Sequence, residues 1–281
     1  MICIVTALDC EARPLINHFK LKRDQQFKPF PLYVGDITLA VCGVGASNAM
    51  MACAATAGLN IAAQMQNTRV NESAWLNIGI GGHSRHDIGT PFLAHKVIAH
   101  QQNINSTPKS YYPQWPGKWP CQTADVVTVV QADEHYEQAA IYDMEASGFC
   151  EAAYKFSTVE LVQVLKIISD NKTSSINEKN KSMVTELVEA QMNLIVSIIS
   201  RLNNVACDLE SRAGMPQDYD SLITHYSVSV SMQFQLKQLL GRWQLLGDGS
   251  ILEAVPVQDC RSIKDWMKAA TNSLAKLPVN F

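Results

Sequence analysis

Charge is scarce in this sequence. Asp, Glu, Lys and Arg make up 17% of its 281 residues, against about a quarter in ordinary soluble domains. The 23 basic and 26 acidic side chains leave a formal charge of −3. There is no basic excess to neutralise a phosphate backbone, so nucleic-acid binding is not expected. Cysteine pairs are missing as well. Cys3, Cys10, Cys42, Cys53, Cys121, Cys150, Cys207 and Cys260 are scattered, without a Cys-x-x-Cys pair or zinc-ligand spacing. They read as reduced, mostly buried thiols of a cytoplasmic protein. A basic leader is absent too, and the apolar run from Met1 stops at Asp9 and Glu11, so it does not read as a signal peptide. Repeats and low-complexity tracts are not found.

Hydrophobic residues, by contrast, reach 47%, enough for a sizeable core. Ile37–Thr68 contains no Asp, Glu, Lys, Arg or His, and it exceeds the roughly 20 residues of a spanning helix. Yet Gly43, Gly45, Ser47, Asn48, Thr56, Gly58, Asn60, Gln64 and Gln66 interrupt it. A strand, a glycine turn and a buried small-residue helix explain the run better, and no membrane partner is expected.

Apolar runs at Ile2–Leu8, Ile37–Cys42, Trp75–Gly79, Phe92–Ile98, Val126–Val130 and Leu161–Ile168 read as strands. They alternate with helical stretches at Glu11–Phe19, Ser47–Ala63 and Glu145–Phe156. The pattern predicts an α/β protein with a central mixed sheet flanked by helices. Residues 100–121 carry several prolines with Tyr111, Tyr112, Trp115 and Trp119, and read as a loop. A polar hinge at Asn171–Lys181 precedes one long amphipathic helix, apolar from Val184 to Leu209 and ended by Gly214-Met215-Pro216. Further helices are predicted over Tyr219–Leu246 and Ser262–Leu274. The expected division is an α/β domain at 1–212 and a C-terminal helical segment at 213–281.

Three carboxylates follow apolar strands. Glu11 stands in Ala7-Leu8-Asp9-Cys10-Glu11, Glu145 in Asp143-Met144-Glu145-Ala146, and Asp170 ends Ile168-Ser169-Asp170. Ligand crevices of open α/β sheets lie outside the carboxyl ends of strands, so such acids can converge on one cleft. Each alone is better explained as a helix cap or a first-turn acid. Two glycine loops, Gly43-Val44-Gly45 and Gly79-Ile80-Gly81-Gly82-His83, also follow strands. Neither has the third glycine of a dinucleotide fingerprint or the lysine of a P-loop. His83, His86 and Asp87 read as loop residues; His-Glu-x-x-His is absent, and neither a metal nor a cofactor is expected.

In this order the pieces resemble the nucleoside phosphorylase and nucleosidase superfamily, across roughly the first three quarters of the chain. Met-Glu followed some residues later by Ser-Asp after a strand is the most specific of them. The resemblance implies that Asp170 protonates the purine base, that Glu145 grips the ribose hydroxyls with Met144 packed on the sugar, and that Glu11 activates water. Gly43, Gly79, Ile80, Gly81 and Lys166 fall at substrate-binding positions. Lys166 replaces the family's arginine, and Ile80 stands where nucleosidases place a serine. His135 and Tyr136 are candidates for base contact, and Arg13, His83 and Arg85 for phosphate. A carboxylate at position 11 repels phosphate but can deprotonate water, which favours hydrolysis over phosphorolysis. The expected activity is hydrolytic cleavage of a purine nucleoside. A phosphorylase on the same fold and a non-catalytic nucleoside-binding scaffold are the alternatives. Family active sites are usually completed by a neighbouring subunit, and a homodimer is expected.

Overall fold

Why the apolar runs stay nearly unbroken is plain from the sheet they build: its central strands are covered on both faces. The computed structural model describes residues 1–66, 73–99, 108–131, 139–172, 181–212, 216–247 and 249–277. Contacts divide the chain into two units, Met1–Asp208 and Leu209–Phe281.

In the first unit, β1 (Ile2–Thr6) lies between β4 (Ile37–Val41) and β5 (Ala74–Gly82), all parallel. On its other edge β5 pairs in parallel with β10 (Val162–Asp170). The sheet continues through antiparallel β6 (Pro91–Ala99), then β8 (Gln122–Thr128) and β9 (Ile141–Asp143). From β9 it returns to Gly82 at the end of β5. These five strands therefore close a ring, while β3 (Leu32–Val34) and β2 (Lys22–Arg23) extend the opposite edge and β7 (Ser110–Tyr111) pairs with β6. β5 is the pivot. It touches β1 along Ala74–Asn77 and β9 only at its tip, so the sheet splays beside Gly79–Gly82.

The strands predicted from apolar runs all form. The two- and three-residue strands β2, β3, β7 and β9 went unpredicted because segments that short show no period. The uncharged stretch is β4, a turn with Gly43 and Gly45 at positive φ, and α2 (Ala46–Gln66). Helix α3 (Ala146–Ala153) crosses the start of α2 so closely that a β-carbon on Gly148 would lie 1.9 Å from the Ala46 carbonyl oxygen. Glu145 caps α3 instead of lying inside it. The core around these elements joins Cys3, Val5, Cys53, Trp75, Phe149, Cys150 and Val164.

The expected single helix over Val184–Leu209 is two, α4 (Lys181–Ala190) and α5 (Met192–Arg212), bent by 57°. Gln191 marks the break, its side chain donating to the Gly89 carbonyl at 3.0 Å. The apolar spacing continues through it, with Val184 and Val188 buried before the bend and Ile195, Ile198 and Leu202 after, so the pattern carries no sign of the kink. Among the described residues no single helix is long and apolar enough to cross a membrane, and this bent pair passes only jointly.

The second unit has its own core: Tyr219, Leu222, Leu236, Leu240, Trp243, Ile251, Ile263 and Trp266 pack together. The helix predicted over Tyr219–Leu246 is again two, α6 (Tyr219–His225) and α7 (Val230–Leu246). Tyr226 leaves the helix, and its hydroxyl hydrogen is shared between the carbonyls of Val257 and Cys260, at 2.7 and 3.1 Å. After the short α8 (Ile251–Ala254), Ser262 caps α9 (Ile263–Leu274) by accepting from the Asp265 amide.

Candidate active site

At the splayed end of β5, four ionisable side chains are buried together: Glu11, Asp143, Glu145 and Lys166. Glu11 lies in the first turn of α1 (Asp9–His18), which starts where β1 ends. Its Oε2 accepts from the backbone N–H groups of Ala7 and Leu8, both at 2.9 Å, and its Oε1 from that of Ile80 at 3.0 Å. Oε2 is thereby filled, and Oε1 keeps one lone pair. Lys166 comes from the strand neighbour of β5, in register with Gly79. A β-carbon on Gly79 would lie 3.0 Å from Glu11 Oε1 and 3.3 Å from Lys166 Nζ. Glycine here keeps open the space that a carboxylate and an ammonium both face.

Asp143 is the anchor of the group. Its Oδ2 accepts from Lys166 Nζ at 2.7 Å and from the amides of Glu145 and Ala146 at 3.1 and 2.7 Å. Its Oδ1 accepts from Thr128 Oγ1 at 2.8 Å. Three donors thus converge on Oδ2 and one on Oδ1. Glu145 accepts from the Gly45 amide, 2.8 Å from Oε1. The positive φ of Gly45 and the tight α2–α3 crossing bring that amide within reach.

Burial governs the electrostatics. It pushes Glu145 up to about 7; Lys166 opposes the rise, while Asp143 and Glu11 add to it. Burial also raises Glu11, against the pull of Lys166 and three backbone amides. For Lys166 burial disfavours the charge, but Asp143, Glu145 and Glu11 outweigh it and hold the ammonium above its ordinary value. One cation thus serves three carboxylates, and a proton on a carboxyl relieves the imbalance. The Cys42 thiol, beside Glu145 and Glu11, is pushed up to about 12 by burial first and those acids second, so it is inert.

Asp170 ends β10 in register with Gly82, and its carbonyl accepts from the His83 amide at 3.0 Å. Ser169 Oγ donates to its Oδ1. His83 is buried, and its Nδ1 accepts from the amides of Arg85 and His86 at 3.0 and 3.2 Å, which puts the ring proton on Nε2. Burial, then His86 and Arg85, lower its pKa and keep the ring neutral.

The cluster therefore gathers Glu11, Glu145, Lys166, Gly79 and Ile80 from the sequence candidates. Met144 is half-buried against Val127, Val129, Ala140 and Tyr142. Gly43 shapes the turn beside Gly45, and Gly81 lies under Ile141 and Tyr142, where a β-carbon would come within 2.6 Å of Ile141. Arg13 and Arg85 are exposed. His135 and Tyr136 lie outside the described residues. Asp143 and Thr128 received no role from sequence. Asp143 had a signal in its place two residues before Glu145; Thr128 had only its place at a strand end.

No protein-family model matches the chain, and no curated protein sequence does. Solved structures do. 5′-Methylthioadenosine nucleosidase of Arabidopsis thaliana, in apo form, superposes with a TM-score of 0.56 at 19% identity, over 72% of this chain and 95% of that one. Futalosine hydrolase of Helicobacter pylori gives 0.55 at 14% identity, over 71% and 97%. The 5′-methylthioadenosine/S-adenosylhomocysteine nucleosidase of S. pneumoniae, bound to a transition-state inhibitor, gives 0.52 at 16%, over 72% and 99%. This chain shares the fold of these nucleosidase and hydrolase structures.

Proposed function

We propose that this chain hydrolyses the N-glycosidic bond of a purine nucleoside. Breaking that bond builds an oxocarbenium-like sugar, which calls for an acid on the departing base and an activated nucleophile behind the anomeric carbon. Asp170, at the tip of β10, is the acid and gives its proton to the base. Glu145 takes the ribose hydroxyls, and Met144 covers the sugar. Glu11 takes a proton from water with the free lone pair of Oε1, and Lys166 holds the water's oxygen from the other side of the space above Gly79. Its burial-raised affinity for a proton suits Glu11 to the part of a base working near neutral pH.

One observation carries this reading: a carboxylate and an ammonium bracket a glycine-cleared space at the strand end. It also favours water over phosphate, since in this cluster Glu11, Asp143 and Glu145 outnumber the one cation, Lys166. The buried free thiols Cys3, Cys42, Cys53 and Cys150 suit a reducing, cytoplasmic setting. The deciding experiment incubates purine nucleosides with and without phosphate and identifies the sugar released. Free ribose at a rate indifferent to phosphate is expected. Ribose 1-phosphate would establish the phosphorylase reading instead, and binding without release of base would leave a nucleoside-binding scaffold.

A further inference from the structure

The bonds around Asp143 do not stop at the cluster. Thr128, the last residue of β8, is buried and in parallel register with Asp143 on β9. Its hydroxyl has one hydrogen, which goes to Asp143 Oδ1 at 2.8 Å. Its oxygen accepts from the Ser147 amide, in the first turn of α3, at 2.9 Å. The threonine therefore stands between a helix N-terminus and a carboxylate with both its donor and an acceptor site engaged. On the far side of that carboxylate, Oδ2 holds Lys166 Nζ at 2.7 Å, and Nζ is 3.3 Å from the position a Gly79 β-carbon would take.

We propose that Thr128 is a positioning residue, whose hydroxyl locks the Asp143 carboxylate in the one rotation that aims the Lys166 ammonium at the reacting water. Without the hydroxyl, Oδ1 has no donor and the carboxylate is held through Oδ2 alone. Oδ2, held by the Glu145 and Ala146 amides, is then the pivot on which the carboxylate plane can tilt, and the lysine bonded to it moves with it. Lysine needs such a lock more than arginine does: an ammonium on four methylenes has three rotatable donors and no planar fork to fix its direction. The catalytic consequence rests on the hydrolase reading above; the lock itself does not.

Thr128→Val keeps the shape and removes the hydroxyl, while Thr128→Ser keeps the hydroxyl. Misaiming a group by about an ångström costs up to about 10²-fold in rate. The expected result for Thr128→Val is a fall in kcat of about tenfold or more, with KM nearly unchanged and the acidic limb of the pH–rate profile displaced. Thr128→Ser should restore both. A role confined to capping α3 would lower the melting temperature of Thr128→Val and leave its kcat and pH profile alone, and that result overturns the proposal. So does a Thr128→Ser enzyme as slow as Thr128→Val. If Thr128→Val does not fold, Thr128→Cys takes its place as the weak-donor variant, expected below serine in kcat. The 15N resonance of the Lys166 ammonium reads the lock without turnover. It should shift in the valine or cysteine variant and stay in the serine one. Should the wild type cleave no nucleoside, this resonance still decides for or against the lock, and the same shift in all variants overturns it.

Discussion

At position 79 the smallest possible addition is informative. The methyl group of a Gly79→Ala variant would fill the space between Glu11 Oε1 and Lys166 Nζ, at 3.0 and 3.3 Å from them. The expected result is a loss of about 10²-fold or more in kcat/KM with secondary structure intact by circular dichroism, because the nucleophile's place is taken and both groups are pushed aside. Asp170→Asn should lose about 10²-fold in turnover, the usual share of a general acid. Turnover near that of the wild type would remove Asp170 from the mechanism. Glu145 links activity to stability. Its carboxyl binds a proton more tightly folded than unfolded, with a pKa raised from 4.5 to about 7. Its contribution to stability is therefore full below about 4.5 and lost as pH rises through about 7. Glu145→Gln abolishes that loss, so in urea titrations the variant should gain on the wild type between about pH 5 and pH 8, by on the order of 2–3 kcal/mol. A difference independent of pH would refute it. The strand-end positions of Glu11, Glu145 and Asp170 were legible in the sequence, since an acid after an apolar run needs no partner to be noticed. The role of Thr128 was not, because it lies in a lateral contact between strands that sequence spacing does not encode, and Asp143 showed only its place in the Met-Glu motif.

Elements show the same division between what a chain tells locally and what only assembly tells. Long apolar strands and α2 announce themselves through composition, but the kink coincides with a bond from Gln191 to a loop carbonyl, that of Gly89, about a hundred residues away in sequence. Gly148 belongs to this second class. Nothing in Ala146-Ser147-Gly148-Phe149 says that another helix passes overhead, yet a β-carbon there would meet the backbone of Ala46 at 1.9 Å. Unlike the end of a flexible side chain, that backbone cannot yield. Gly148→Ala should therefore cost several kcal/mol, among the larger single-residue effects, or prevent folding. Gly58→Ala in α2, where a β-carbon meets nothing within 4 Å, is the matched control in the same unit and should be neutral or slightly stabilising. Equal unfolding midpoints for the two variants would show that the α2–α3 crossing is looser than described.

For the whole molecule, the two units with separate cores should melt separately. Trp266 is fully buried in the second core, with Nε1 donating to the Val255 carbonyl at 2.8 Å. Trp266→Ala should cost about 3–5 kcal/mol there, lowering one calorimetric transition and leaving the other in place. A single shifted transition would mean that the units unfold as one. The nucleosidase structures span 71–72% of this chain, a share close to that of the first unit alone. We propose that the second unit is an addition to the fold they share. We expect a homodimer, and light scattering that returns 31.0 kDa would exclude it.

The depth of Lys166, 1% exposed, and of its Asp143 partner, 0%, has a consequence for how the protein should respond to its medium. Mobile ions screen charges on a surface, and buried pairs much less. An enzyme that recruits an anion from solution to an open basic site weakens steeply as salt is added. One whose only needed cation is sealed against its counter-charge, and whose second reactant is water, has nothing for salt to compete with. Turnover here should stay nearly flat as potassium chloride is raised, so that ionic strength alone, with no product identified, separates a site built for water from one built for phosphate.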